Sequence, residues 1–156
     1  GSVTTERDRE AAAWLNEVAK LPEGFWKDLF LAKSDLSGEK LTERIEDDFA
    51  WFVLGGKKVG IAQIEMIGAQ QLIDERGAEI TSLLEKLKRE MHLDSIFQNT
   101  IELAGTNTFF VTSDEKTKQL LEKVFTVRFI GAVAEYPSLI MRKEIVPLLK
   151  AALEKE

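Results

Sequence analysis

Phe49-Ala50-Trp51-Phe52-Val53-Leu54-Gly55-Gly56-Lys57-Lys58-Val59-Gly60-Ile61-Ala62-Gln63-Ile64 is the stretch on which the reading of the whole chain turns. Residues 49–54 and 58–67 are two runs rich in β-branched, aromatic and other apolar side chains. The Gly55-Gly56 pair between them tolerates the positive φ that a tight hairpin turn needs. A hairpin here forces at least one antiparallel pair into whatever sheet the chain builds. Glycines followed by lysines also invite comparison with a phosphate-binding loop. The spacing of that loop is absent, however, and the segment lies between strands rather than before a helix.

Downstream of the hairpin, Ile73, Ile80, Leu84, Leu87 and Met91 recur at helical intervals and predict an amphipathic helix over 69–90, with Gly77 inside it. Alternation predicts a strand over 94–103, and Ala104-Gly105 then turns into a second strand over 108–111. Ser113 is placed to cap a helix running through Phe125, and residues 126–134 read as a further strand. Pro147 reads as the opening of a final helix that turns Ile145, Leu148, Leu149 and Ala152 inward. Upstream, Thr4 or Thr5 suits the cap of a helix over about 5–20, with Ala11, Trp14, Leu15 and Val18 on one stripe. Pro22 opens a second helix, residues 34–38 form a polar turn, and a short third helix covers 41–47. Helices interleaved with strands that include hairpins predict the α/β class: a single domain with a mixed β-sheet of about five strands and helices packed on its faces.

Composition narrows the functions available. The 156 residues are 44% hydrophobic and 31% charged, ordinary for one globular domain. A formal net charge of −6 predicts no general attraction to nucleic acid or to an anionic membrane. With no Cys and one His, a disulfide scaffold, a thiolate metal site, a Cys nucleophile and a His-rich centre are all excluded. No apolar run approaches the roughly 18 residues that would span a bilayer, and a cytoplasmic protein is expected. Gly1-Ser2 reads as a cloning scar, and residues 3–156 as one domain excised from a longer chain.

Few residues invite chemistry. His92 stands alone, and a place at a helix end suits it better than catalysis. Asp47-Asp48 and Asp114-Glu115 are adjacent acids able to approach a cation, yet acids near helix ends commonly serve as caps. Arg142-Lys143 is the stronger candidate. The pair is expected just upstream of a helix start, where backbone N–H groups and the helix dipole favour an anion, and a guanidinium beside an ammonium can clamp phosphate oxygens. Two ordinary surface cations, with Glu144 as a local partner, is the alternative for the same residues.

Four stretches together resemble the C-terminal, DHH-associated domain of the manganese-dependent (family II) inorganic pyrophosphatases and the related exopolyphosphatases of the prune group. They are Thr4-Thr5-Glu6-Arg7-Asp8-Arg9-Glu10-Ala11-Ala12, Ala32-Lys33-Ser34-Asp35-Leu36-Ser37-Gly38, the hairpin from Asp48 to Glu65, and Arg142-Lys143-Glu144-Ile145-Val146-Pro147-Leu148-Leu149. The resemblance implies a lid domain that binds substrate while an N-terminal DHH domain of the same chain holds manganese or magnesium. It implies Arg142 and Lys143 as contacts to pyrophosphate or polyphosphate. No catalytic residue and no metal ligand is then expected within this fragment, which alone would not turn substrate over.

Three positions depart from the family pattern. A phosphate-binding Lys of the first hairpin strand is Ala50, the Ser before the Arg is Met141, and the second Lys of the motif is Glu144. Fewer cations remain to hold a compact pyrophosphate, which leaves open a longer polyphosphate or another phosphate ester. It also leaves open a non-catalytic regulatory or protein-interaction domain of the same fold.

Overall fold

Gly55 and Gly56 adopt positive φ values of 57° and 80°, and the chain reverses between β1 (Phe49–Leu54) and β2 (Lys57–Met66) as expected. Their antiparallel register runs from Leu54↔Lys57 back to Phe49↔Ala62. Glycine at 55 answers two demands, because a Cβ there would also come within 2.8 Å of the Leu153 backbone carbon. The computed structural model describes residues 40–155. The helices expected over 5–20 and from Pro22, the turn over 34–38 and two of the four family-like stretches lie outside the described residues.

From β2 the chain enters α2 (Ala69–Glu90) and returns as β3 (Ser95–Glu102), parallel to β2. Parallel neighbours need such a crossover, and the 22-residue helix supplies it. Two antiparallel strands follow, β4 (Thr108–Val111) and β5 (Val133–Tyr136), with α3 (Glu115–Phe125) between them. A short α1 (Lys40–Asp47) precedes β1 and α4 (Arg142–Glu154) ends the described chain. The five strands lie side by side in chain order, giving the mixed α/β sheet that the sequence predicts.

The sheet's two faces carry separate cores. Leu41 and Ile45 of α1 with Leu72, Ile73, Ile80 and Leu84 of α2 pack on Ala62, Ile64, Ile96 and Phe109. On the opposite face, Leu120, Leu121 and Phe125 of α3 with Ile145 and Leu149 of α4 pack on Val59, Ile61, Phe97 and Phe110. Phe110 meets Phe97 edge-on at 5.9 Å between centroids and Phe125 at 5.2 Å. Rings buried in this way contribute about 0.5–1.5 kcal/mol per pair beyond their area.

Local chemistry explains where the elements begin and end, and it corrects four expectations. The cap of α3 is Asp114 rather than Ser113, its carboxylate accepting from the Thr117 N–H at 3.0 Å and hydroxyl at 2.6 Å. No strand covers 126–134. Thr126 ends α3 in the left-handed region, Ile130 is 84% exposed, and the strand starts only at Val133, where β4 offers partners through Val111↔Val133. The last helix begins at Arg142, five residues before Pro147, so Arg142 and Lys143 lie in its first turn and not upstream of it. Leu148 is exposed rather than inward. The fully expected α2 carries a kink at Arg76 (φ −129°, ψ 20°) beside Gly77, which weakens the helix there.

The start of α2 is held from a distance. Glu102, at the end of β3, accepts the N–H groups of Gly68 at 3.0 Å and Ala69 at 3.1 Å with one carboxylate oxygen. It thereby satisfies donors that a helix start leaves open and places a negative charge at the positive end of the dipole.

Candidate functional site

The first turn of α4 is held by two strands, β2 and β3, and by the turn that precedes β1. Gln63 on β2 accepts the Arg142 backbone N–H through its side-chain carbonyl at 2.6 Å. Asn99, its register partner on β3, donates to the same oxygen at 3.4 Å and to the Ile140 carbonyl at 2.9 Å. Glu144 reaches back to accept the Met141 N–H at 3.2 Å. These contacts supply what a helix start lacks, and explain why α4 begins before its proline. Pro147 then sits inside the helix, where it removes the donor that would meet the Lys143 carbonyl.

Arg142 and Lys143 are neighbours with opposite surroundings. Arg142 is 8% exposed. Its Nη1 donates to the Asp48 carbonyl at 2.5 Å and to the Ile61 carbonyl at 2.9 Å, tying α4 to β2 and to the residue that precedes β1. It is therefore not an ordinary surface cation. A buried guanidinium held by oriented carbonyls keeps its charge and cannot move far. Lys143 is exposed, and among the described residues neither its ammonium nor its backbone N–H has a partner. The turn thus offers one fixed and one mobile positive charge and an N–H group, all at the positive end of a helix dipole. Ala50 pairs with Ile61, the residue whose carbonyl Arg142 grips, so the position that departs from the family's Lys borders this same locus.

The other singled-out residues do different work. His92 is exposed with φ 54° in the turn after α2. Asp48 pairs with Arg44 at 2.6 Å. Asp114 caps α3 and pairs with Lys88 at 2.8 Å. Burial alone would raise the Asp114 carboxyl, but the Lys88 ammonium and the Thr117 hydroxyl and amide outweigh it and hold the group below its ordinary value. Glu115 pairs with Lys118 at 3.2 Å. Among the described residues no three His, Asp or Glu side chains come together as a metal-holding group. Nor is any described helix long and apolar enough to cross a membrane.

Gln63 and Asn99 were not singled out by motif. Their signal lay in the strand pattern, since Gln98-Asn99-Thr100 interrupts an apolar strand and all three are fully buried. A polar run inside a central strand must be serving partners elsewhere. Among the described residues, the Asn99 Oδ1 and Gln98 Oε1 atoms are buried without a partner.

Comparison with known proteins follows the same outline. Residues 27–152 match the DHHA2 domain family. A manganese-dependent inorganic pyrophosphatase of Methanocaldococcus jannaschii is 34% identical over 96% of this chain and 48% of its own length. Another, of Bacillus subtilis, is 28% identical over 96% of this chain and 48% of its own. A crystal structure of a Methanococcus jannaschii protein assigned to the family II inorganic pyrophosphatases superposes with a TM-score of 0.71 at 30% identity, covering 94% of this chain and 48% of that one. The chain spans about half the length of the curated relatives it matches. With the family model covering most of its residues, the chain belongs to the DHHA2 domain family.

Proposed function

We propose that the chain is the substrate-binding C-terminal half of a manganese-dependent inorganic pyrophosphatase, with Arg142 and Lys143 as its phosphate contacts. The observation that carries this reading is the first turn of α4, where a buried, carbonyl-held guanidinium and an unpaired ammonium meet the end of a helix dipole. The names of the relatives support pyrophosphate as the substrate, and the gap left by Ala50 and Glu144 keeps a longer polyphosphate within the same class. The reading carries a cytoplasmic location with it.

In this scheme Lys143 neutralises charge on a phosphoryl oxygen, while Arg142 supplies a fixed positive field and anchors the turn against the hairpin. Because both residues ride on the first turn of one helix packed on the sheet, a fixed guanidinium and an adaptable ammonium reach the substrate from the same place. The names of the relatives support manganese as the metal, and the reading assigns it to an N-terminal DHH domain of the same protein, where it would supply Lewis-acid polarisation of phosphoryl oxygens.

One observation favours a second reading. Arg142 Nη1 is committed to two backbone carbonyls, which suits a structural clamp in a regulatory module that has lost catalysis. Phosphate release by the two-domain protein from pyrophosphate and from tripolyphosphate, with manganese, separates the two. Lys143→Ala is expected to lower kcat/KM by roughly 10²-fold, the scale for one positioned charge-stabilising group, with folding unchanged. Release that is absent in wild type, or unaltered in the variant, would favour the module.

A further inference from the structure

A second cationic locus lies at the other end of the hairpin. Lys57 at the start of β2 and Lys116, Gln119, Leu120 and Lys123 of α3 border a concavity of about 460 Å³. The helical spacing of 116, 119, 120 and 123 puts those four on one stripe of α3. Lys57, Lys116 and Lys123 are all exposed, and among the described residues none of them pairs with a carboxylate. Asp94, the acid on the rim, accepts the Lys58 backbone N–H at 2.8 Å and is held at the edge by it. The concavity therefore carries a net positive charge in a chain whose formal charge is −6.

We propose that this concavity is a second anion-binding site, for a small molecule bearing several phosphoryl groups. Three ammonium groups bordering one concavity against the single carboxylate of Asp94 repel one another, and a bound polyanion turns that repulsion into attraction. Ammonium groups are point charges with three donors each, suited to tetrahedral phosphoryl oxygens rather than to one planar carboxylate. The volume falls in the range of small-ligand pockets, and Leu120 gives it an apolar wall. The site is separate from the turn that holds Lys143. Gln63 lies six residues along β2 from Lys57, roughly 20 Å at the rise of an extended strand.

Backbone amide resonances of the 156-residue chain, followed during titration with sodium tripolyphosphate at low ionic strength and without metal, test the proposal. Saturable shifts at Lys57, Gln119 and Lys123 are expected. The double variant Lys116→Ala/Lys123→Ala, whose alanines keep α3 helical, should weaken that response about tenfold or more while the response at Lys143 is kept. An unchanged affinity in the double variant, or shifts confined to Lys143 and its neighbours, would overturn the site. ATP as a second probe identifies the source of the phosphoryl groups. Tighter binding with a response at Leu120 assigns a nucleotide, and equal binding assigns the phosphate chain alone.

Discussion

The side-chain carbonyl of Gln63 accepts the backbone N–H of Arg142 at 2.6 Å, joining β2 to the first turn of α4 across 79 residues of sequence. Without it that N–H would be an open donor at a partly buried helix start. Gln63→Ala is therefore expected to cost about 1–2 kcal/mol in chemical denaturation, the scale for a lost buried acceptor. In the two-domain protein it should also lower kcat/KM through Lys143, which the same turn positions. A stability loss with unchanged kinetics would detach this turn from function.

Arg142 and Lys143 should separate cleanly on mutation. Arg142→Ala removes the guanidinium donor from the Asp48 and Ile61 carbonyls and opens space between hairpin and helix, a loss of about 2–4 kcal/mol on the scale of buried charged hydrogen bonds. Lys143→Ala, at an exposed position, is expected to stay within about 0.5 kcal/mol of wild type. Urea denaturation of the two variants side by side decides the matter, and equal losses would contradict the difference in burial.

Glu102 holds the start of α2 without belonging to it. Glu102→Ala removes the acceptor for the Gly68 and Ala69 N–H groups and should destabilise the chain by about 1 kcal/mol, as loss of a helix cap does. Hydrogen exchange gives the local readout, with faster exchange at Ala69 than at Ile80. Unchanged protection at Ala69 would show that this carboxylate is not what holds the helix start.

Gly55 and Gly56 are adjacent but not equivalent. Gly55→Ala brings a Cβ to 2.8 Å from the Leu153 backbone in a left-handed conformation, so about 2 kcal/mol or more should be lost. At Gly56 no atom lies within 4 Å of the added Cβ, and Asn tolerates its positive φ. Gly56→Asn should keep melting temperature within a few degrees of wild type. The opposite ranking in a thermal melt would mean that the hairpin does not dock on the end of α4.

Asp114 gives the fold a dependence on acid. Its carboxyl is held below the ordinary value in the folded chain, so its contribution is complete above the unfolded value near about pH 4. The contribution is then lost as pH falls further, through the lower folded value. Asp114→Asn should consequently be less stable than wild type at pH 7, with the gap narrowing below about pH 4. Parallel stability curves for the two proteins down to strong acid would remove the Lys88 and Thr117 contacts as its source.

Sequence alone determined the features that depend on neighbours along the chain. The Gly55-Gly56 turn, the long amphipathic α2 and the count of five strands follow from conformational freedom and apolar periodicity, which are local. Strand 126–134 misled because Thr126, Val127 and Ile130 have the side chains of a strand, while pairing requires a partner. That partner, β4, spans four residues and reaches only from Val133 to Tyr136. Likewise Pro147 marks a helix start by propensity, yet the start moved to Arg142 because Gln63, Glu144 and Asn99 satisfy the polar groups there. Arg142 and Lys143 were legible as a cationic pair, but not that one is buried and the other open. Burial is set by where α4 lies on the hairpin, and that is decided by contacts between residues far apart in sequence, whose energies no local pattern records.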